Sequence, residues 1–208
     1  TLSTSILAPK PKMPTLGGMQ SSMDERKQMI KQPAHSRRII YGYSKVSGVI
    51  LFIETANNNQ DLYMVLALAS HEIDGVARVY IGDTPVVFNG DITTGFRTVN
   101  NPSDFSGKVH AQLLTGTTTQ TLPSDFTTNT DLATTDKFKG IACLCIKMNY
   151  NSNTFPNGIP AVFALVRGKK IHDLNRSGTH YSNNPAYIFR DYMTDTSFGV
   201  GATTSEID

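Results

Sequence analysis

The strongest structural signal in this chain of 208 residues lies in residues 48–70, GVILFIETANNNQDLYMVLALAS. Two apolar runs, residues 48–54 and 62–70, flank the turn-rich residues 57–61. The second run could form a helix by propensity, but its length fits a central strand equally well. Apolar runs of this length on either side of a cluster of turn residues predict two strands joined by a hairpin and buried on at least one face.

Similar signals continue on both sides of this hairpin. β-Forming side chains dominate residues 38–43, and residues 75–83 alternate in part before ending in a Gly-Asp turn. Two further apolar runs, residues 140–147 and 161–168, are separated by a link that is rich in Asn, Gly and Pro. The sequence therefore predicts a mainly β fold, with both β and α elements but few helices.

One clear helix is predicted near the C-terminal end. Asn184 is a typical N-cap residue, and Pro185 suits the first helical position because its missing N–H has no partner there. The apolar stripe of this helix consists of Ile188, Phe189, Tyr192 and Met193.

The middle of the chain differs in composition from the strand regions. Ten of residues 115–135 are Thr, and no sustained apolar periodicity is present, which predicts a surface excursion or a small inserted module. We therefore expect three parts. These are an extended N-terminal arm, residues 1–36, with about two helical turns near residues 23–32; a core, residues 37–83 and 137–208; and a Thr-rich insertion, residues 84–136. The last residues carry no turn or tail signal, which favours a fragment of a longer protein.

Composition excludes several classes of protein. Nineteen basic and 17 acidic residues give a net charge of +2, which excludes a polybasic nucleic-acid binder and an acidic tail protein. The longest apolar run, residues 62–69, is far shorter than the roughly 20 residues that cross a bilayer, so no membrane span is predicted. Two Cys cannot form the framework of a disulfide-stapled miniature protein.

Two pairs of residues invite a metal or acid–base interpretation. His71 and Glu72 are adjacent, but Gly75 stands where a metalloprotease motif needs its second His, so a polar pair at a strand end is favoured. Cys143 and Cys145 lie on one face of a predicted strand. Because the sequence offers no second Cys pair to complete a zinc site, we expect two buried thiols that pack as small apolar groups.

The remaining charged motifs also favour structural roles. Asp191 and Asp195 would be adjacent on a helix turn, but nothing else supports a glycosidase. No phosphate-binding loop, dinucleotide fingerprint or esterase elbow is present. The sequence therefore predicts no catalytic, cofactor-binding or metal-binding residue. The densest basic cluster is interpreted as a solvated face, with an interface or phosphate contact as the alternative; it consists of Arg167, Lys169, Lys170 and Arg176.

Taken in order, several segments resemble the N-terminal region of the tail tip (host-specificity) protein J family of lambda-like phages. The resemblance covers about residues 38–83 and 138–201 and leaves out the arm and the Thr-rich insertion. One departure is His172, where many members carry an aromatic residue. The segments are residues 38–42 (RIIYG), 46–50 (VSGVI), 62–73 (LYMVLALASHEI), 155–160 (FPNGIP), 166–173 (VRGKKIHD), 181–186 (YSNNPA), 190–193 (RDYM) and 198–201 (FGVG).

The resemblance implies a structural virion protein with β-barrel or β-sandwich domains like those of baseplate hubs. Members of this family form a homotrimeric hub at the tip of a long non-contractile tail. The hub closes the tail tube, contacts neighbouring tail-tip and tail-tube proteins, takes part in host attachment and opens for DNA ejection. The implied location is the virion tail tip, with transient contact between the hub and DNA in its lumen. A near-neutral chain suits such a conduit, because many phosphate contacts would hold DNA strongly.

Two alternatives stay open at this point. The first is a cell-wall hydrolase module carried on a tail, which a zymogram on peptidoglycan would reveal. The second is a monomeric, prophage-encoded binding module, which light scattering on the full-length protein would separate from a trimeric hub.

Overall fold

The computed structural model describes residues 36–173 and 177–207 of the chain. Within these ranges, the chain is built mainly from strands, with two short α-helices and one 3-10 turn at Thr204–Glu206. The elements are β1 Tyr43–Ser47, β2 Val49–Ala56, β3 Asp61–Ala69, β4 Gly75–Ile81, β5 Thr84–Phe88, β6 Arg97–Asn101, β7 Val109–Thr115, α1 Ser124–Asn129, β8 Ala142–Asn149, β9 Val162–Arg167, β10 Lys170–His172, β11 Thr179–Tyr181 and α2 Pro185–Thr194.

Nine of these strands form one antiparallel sheet that curls into a nearly closed barrel. The order is β1-β9-β4-β5-β6-β7-β8-β3-β2, so β1 and β2 lie at opposite edges of the sheet. Only Gly48 separates these two edge strands in the chain, which brings the edges together. A Cβ atom at Gly48 would lie 2.5 Å from the Cβ of Leu66, so this closing position has room only for glycine. The predicted mainly β fold class is confirmed.

The hairpin between β2 and β3 forms as the sequence predicts. Asn57, Asn58 and Asn59 have φ angles of 52°, 55° and 63°, the left-handed region that asparagine adopts more readily than most residues. Pairing then begins at Ala56 and Asp61 and continues along both strands. Residues 61–69 are a strand and not a helix, because β3 is paired on both sides, with β2 and with β8.

Strands β3 and β8 are neighbours in the barrel wall and are covered on both faces. Met64 pairs with Ile146 and Leu66 with Leu144, and these four side chains belong to the interior core. Alternate side chains of the same strands point away from the barrel interior and belong to a second buried cluster. Two covered faces explain why these strands have continuous apolar sequences.

The β3–β4 and β8–β9 connections join strands that are not neighbours in the sheet. Each of them places an apolar side chain at one end of the barrel. Between β3 and β4, Ile73 is buried, and its N–H donates to the carbonyl of Thr115 at 2.9 Å. Between β8 and β9, at the opposite end, Phe155 is buried and its ring centroid lies 6.0 Å from that of Phe105. Both connections therefore contribute to the interior core at the barrel ends.

Three of the other predicted strands are confirmed, and one is only partly correct. Strands β4, β8 and β9 lie where residues 75–83, 140–147 and 161–168 predict them. Of residues 38–43, only Tyr43 is in a strand. Gly42 has a φ of 58°, which breaks the extended run before it.

The predicted insertion, residues 84–136, contains more of the barrel than its composition indicates. Strands β5, β6 and β7 are consecutive members of the sheet, and only the chain after Thr115 leaves it. β5 and β6 are short, and β6 is largely polar, so their apolar periodicity is weak. The Thr-rich part also contains helix α1, which the sequence did not predict. The arm, residues 1–36, lies outside the described residues except for Ser36, and the division of the chain into domains stays a prediction.

Candidate assembly site

The Thr-rich residues 116–141, called the strap below, pack over the outer side of β3, β7 and β8. Phe126 of helix α1 is fully buried there, and its ring contacts Tyr63 edge-on with centroids 5.1 Å apart. The ring of Phe96 lies 5.9 Å from Phe126 in the same geometry. The strap thus provides the apolar cover that these central strands need on their outer face.

A buried glutamine holds the two ends of the strap together. The Gln120 side-chain oxygen accepts the N–H of Gly116 at 2.8 Å. Its amide nitrogen lies within hydrogen-bond distance of the carbonyls of Lys137, Phe138 and Ile141, at 3.1, 2.6 and 3.1 Å. Because one side chain bonds the backbone where the strap leaves the sheet and where it returns, Gln120 fixes the strap on the barrel. No sequence motif marks this residue.

A second polar cluster attaches helix α1 to the barrel wall. Lys147 lies 3.3 Å from the Asp125 carboxylate and 3.5 Å from that of Asp61. Burial alone would raise the pKa of Asp61, but hydrogen bonds from Asn57, Asn149 and Lys147 keep the pKa below its ordinary value. The cluster is internally satisfied and has the character of a structural ion pair.

Both cysteines are buried on one face of β8, as the sequence predicts, and the strap covers that face. Cys143 and Cys145 are fully buried, unpaired and in the outer cluster with Tyr63 and Val65. Burial raises the pKa of the Cys143 thiol to about 12 and also raises that of Cys145. Thiols held in the protonated form are poor nucleophiles and poor metal ligands.

Helix α2 begins as predicted, and a polar contact attaches it to the barrel. The Asn184 side chain accepts the N–H of Ala186 at 3.0 Å, and Pro185 is the first residue of the helix. Lys169, which follows β9, donates to the carboxylates of Asp191 and Asp195, at 2.7 Å each. Tyr41 also donates to Asp191, at 2.5 Å. The predicted carboxylate pair is therefore brought together, but around a lysine.

The protonation states of this contact follow from its geometry. Burial would lower the pKa of Lys169, but the bonds to Asp191 and Asp195 raise it above its ordinary value. Burial and the Asp191 carboxylate both raise the pKa of Tyr41. The lysine therefore stays charged and the tyrosine stays neutral. Burial would raise the pKa of Asp195, but hydrogen bonds from Lys169 and from the backbone of Ser197 and Phe198 lower it below its ordinary value. Lys169 occupies both carboxylates, which gives the pair the character of a structural contact.

Two members of the apolar stripe of α2, Phe189 and Tyr192, are exposed, which the sequence did not predict, whereas Ile188 and Met193 are half-buried. Phe189 is 60% exposed and Tyr192 is 45% exposed, and α2 has no buried residue. After the helix, Val200 is 60% exposed, and its N–H donates to the carbonyl of Tyr192 at 3.1 Å. Large apolar side chains that are exposed on a helix fixed by ion pairs are typical of a protein contact surface.

A second apolar surface lies at the end of the barrel near Phe155. It is a groove of about 260 Å³ between the β2–β3 turn and the β8–β9 connection. Tyr150 and Ile159 line it and are 64% and 53% exposed.

The predicted basic cluster is neutralised in the part of the chain that the structure describes. Arg167 pairs with Asp74 at 2.9 Å, and Lys170 pairs with Glu72 at 2.8 Å. Lys169 is held by the two carboxylates on α2. Arg176 lies outside the described residues. These ion pairs disfavour the phosphate-contact alternative for the described members of the cluster.

His71 supports the backbone at one end of the barrel. Its Nε2 accepts the N–H of Ile40 at 2.9 Å, and Nδ1 lies 2.8 Å from the carbonyl of Glu72. Burial lowers the pKa of His71, so the neutral ring that this geometry requires is the favoured form. Among residues 36–173 and 177–207, no group of three His, Cys, Asp or Glu is placed to hold a metal ion.

No helix within the described part of the chain has the length and apolar character needed to cross a membrane.

The proteins to which this chain is similar include a curated relative and a structural neighbour. The chain is 26% identical over 219 residues to the baseplate hub protein pb3 of Escherichia phage T5, and the match covers 81% of this chain and 23% of the relative. It thus spans about a quarter of the length of that protein. No family model matches. A structural neighbour is a chain in the virion of a native gene transfer agent (GTA) particle, with 15% identity, a TM-score of 0.46 and coverage of 83% of this chain and 44% of that chain.

The sequence similarity supports a place for this chain among phage tail and baseplate hub proteins. It does not single out the tail tip protein J family that the sequence segments resemble.

Proposed function

We propose that this chain is the N-terminal part of a bacteriophage tail-tip hub, a structural and not an enzymatic protein of the virion. The observation that carries the proposal is the similarity to a phage baseplate hub protein over 81% of the chain. We further propose that the hub is a homotrimer that closes the tail tube, anchors neighbouring tail proteins, takes part in host attachment and opens for DNA ejection.

The architecture supports a structural role. The part of the barrel wall formed by β3, β7 and β8 is packed against the interior core on one face and against the strap on the other, which suits it to bearing load. The exposed apolar side chains of α2 and of the groove at Tyr150 and Ile159 offer contacts for neighbouring subunits. The candidate groups that the sequence offered for catalysis are buried thiols (Cys143 and Cys145), members of ion pairs (Glu72, Asp191 and Asp195) or hydrogen-bonded to the backbone (His71).

The segments that resemble tail tip protein J fall on these same features. Residues 155–160 cross one end of the barrel, residues 166–173 include Lys169, and residues 181–186 contain the N-cap of α2. Residues 198–201 contain Val200 beside Tyr192. The resemblance of these segments is the reason for proposing a tail-tip hub within the broader group.

The location is tested on purified particles. We expect mass spectrometry of phage particles to detect the protein, and cryo-electron microscopy to place three copies around the axis of the tail tip. A protein absent from particles that contain the other tail proteins would refute the proposal.

Oligomeric state and activity are tested on the full-length protein. Light scattering is expected to give a trimer, whereas a stable monomer would contradict the hub and favour a binding module. A zymogram is expected to show intact peptidoglycan, whereas clearing would favour the hydrolase module.

A further inference from the structure

Among the residues that the structure describes, the strap covers only about half of the barrel wall. On β1, β9, β4 and β5, alternate side chains point outward and no other described element packs over them as the strap does over β3 and β8. Tyr43 at one edge of this area is 54% exposed, and Val87 at the other edge is 53% exposed. Together the outward side chains form a surface that we call the aromatic–cationic face; it consists of Tyr43, Lys45, Arg78, Tyr80, Val87, Phe163 and Leu165.

The strand register places these side chains in adjoining rows. Leu165 of β9 lies between Lys45 of β1 and Arg78 of β4. In the next row, Phe163 pairs with Tyr80. Four strands at about 4.8 Å spacing and five residues of about 3.3 Å rise give a planar area of roughly 300 Å². An exposed patch with large apolar side chains on this scale is typical of a protein contact site.

This face carries positive charge without any neighbouring negative charge on its own strands. None of the residues in β1, β9, β4 and β5 is Asp or Glu. Within the described ranges, neither Lys45 nor Arg78 forms an ion pair, whereas Arg167 at the end of β9 is paired with Asp74. Among the described residues, these two cations thus have no carboxylate partner.

Lys45 is held in place by the aromatic side chains of the same face. Its Nζ lies 4.2 Å from the ring centroid of Tyr80 and 5.0 Å from that of Phe163. A cation held over aromatic rings keeps its full charge. The ammonium group of Lys45 is therefore fixed at the centre of an apolar surface and remains able to pair with a carboxylate from outside.

We propose that the aromatic–cationic face docks a different tail protein, one whose contact surface carries Asp or Glu beside apolar side chains. This inference rests on the proposed function, since it takes the partner from the phage tail. A protein partner fits better than DNA, because two unpaired cations make few phosphate contacts, whereas DNA-binding surfaces commonly make about 6–10. Tyr, Phe and Arg are enriched at the centres of protein interfaces, and this face combines the exposed Tyr43 and Arg78 with the half-buried Tyr80 and Phe163.

The test uses purified phage particles and a carbodiimide, which joins a lysine to a carboxylate that it contacts. We expect mass spectrometry to find Lys45 joined to an Asp or Glu of another tail protein. Lys139 on the strap is exposed and serves as the reference lysine. In the same particles, we expect Lys45 to be acetylated about tenfold more slowly than Lys139, because an interface excludes reagent and water from its centre.

Each other outcome overturns the inference. Lys45 acetylated as fast as Lys139 would show an uncovered face, and Lys45 joined only to this chain's own sequence would show a different occupant. Protection of Lys45 that disappears when DNA is removed from the particles would indicate a nucleic-acid contact. If the protein is absent from particles, the proposed function itself fails, which keeps the two failures distinct.

Variants provide an independent readout. Lys45→Glu reverses the charge, and we expect about tenfold less incorporation of the full-length protein into particles, whereas Lys45→Arg keeps the charge and stays near the parent. Lys139→Glu is the matched charge-reversal control and is expected to incorporate normally. The thermal midpoint of each free full-length variant establishes that it folds. A folded Lys45→Glu protein that incorporates normally would overturn the inference.

Discussion

Replacing Gln120 with Ala should release the strap from the barrel while leaving the barrel folded. Gln120 is 8% exposed and bonds the backbone at both ends of the strap. Its removal leaves the buried N–H of Gly116 without an acceptor and at least one carbonyl among residues 137–141 without a donor. Both groups regain partners in water when the strap lifts, so the substitution favours the lifted state.

The size of the effect follows from the number of bonds lost. An unpaired buried polar group costs about 1–3 kcal/mol. Taking only the Gly116 N–H and one carbonyl, the free energy of lifting the strap should fall by about 2–6 kcal/mol. Since each 1.4 kcal/mol is a factor of ten, the lifted state should become roughly 30- to 20,000-fold more populated.

Cys143 and Cys145 report on this lifting, because the strap covers both thiols. Labelling by a thiol reagent requires local opening of the strap, so the labelling rate should rise by the same factor in Gln120→Ala. Mass spectrometry of the labelled peptides identifies the two sites. Thr119→Ala, an exposed position in the same segment, is the matched control and should label like the parent. An unchanged labelling rate in Gln120→Ala would refute the role assigned to Gln120.

Three further predictions concern stability and are checked by urea unfolding. Gly48→Ala places a Cβ 2.5 Å from that of Leu66 and should lower the free energy of unfolding by about 1–3 kcal/mol; no loss would contradict the tight closure of the barrel. Lys169→Met removes the lysine that pairs with Asp191 and Asp195 and should lower the free energy of unfolding by about 2 kcal/mol. The control Lys170→Met breaks only an exposed ion pair and should change the free energy of unfolding by under about 0.5 kcal/mol. Burial lowers the pKa of His71 below its ordinary 6.5, so the unfolded chain binds this proton more readily than the folded chain. The contribution of His71 to the free energy of unfolding should therefore be complete above pH 6.5 and should decrease as the pH falls toward the folded-state pKa. His71→Gln should remove this part of the pH dependence, and an identical pH profile in the variant would argue against it.

Local sequence signals located the strands and the main helix well. The Asn-rich turn between two apolar runs predicted the β2–β3 hairpin, and Asn184 with Pro185 predicted the start of α2. The spacing of Cys143 and Cys145 predicted that both thiols share one buried face. These predictions succeeded because turns, caps and the two-residue period of a strand depend on residues that are close in the chain.

The assembly site could be predicted only in part. Asp191 and Asp195 were recognised as neighbours on a helix, but Tyr41, which donates to Asp191, lies 150 positions earlier in the chain. The stripe of α2 was expected to be apolar, and the structure places Phe189 and Tyr192 in solvent. Gln120 carries no sequence signal, since its role arises from backbone groups that only folding brings around it.

The sequence by itself determined that this chain is mainly β, where strands β2, β3, β4, β8 and β9 lie, and which side chains alternate along them. It did so because the period of a strand and the geometry of a turn are local properties. Only the tertiary structure decided that β3 pairs with β8 and β4 with β9, and that the chain at Gly48 joins the two sheet edges. It also decided which half of the barrel the strap covers, and hence that Lys45 lies on an uncovered face. Strand partners and covered faces depend on contacts between distant residues, which the local pattern of a sequence does not specify.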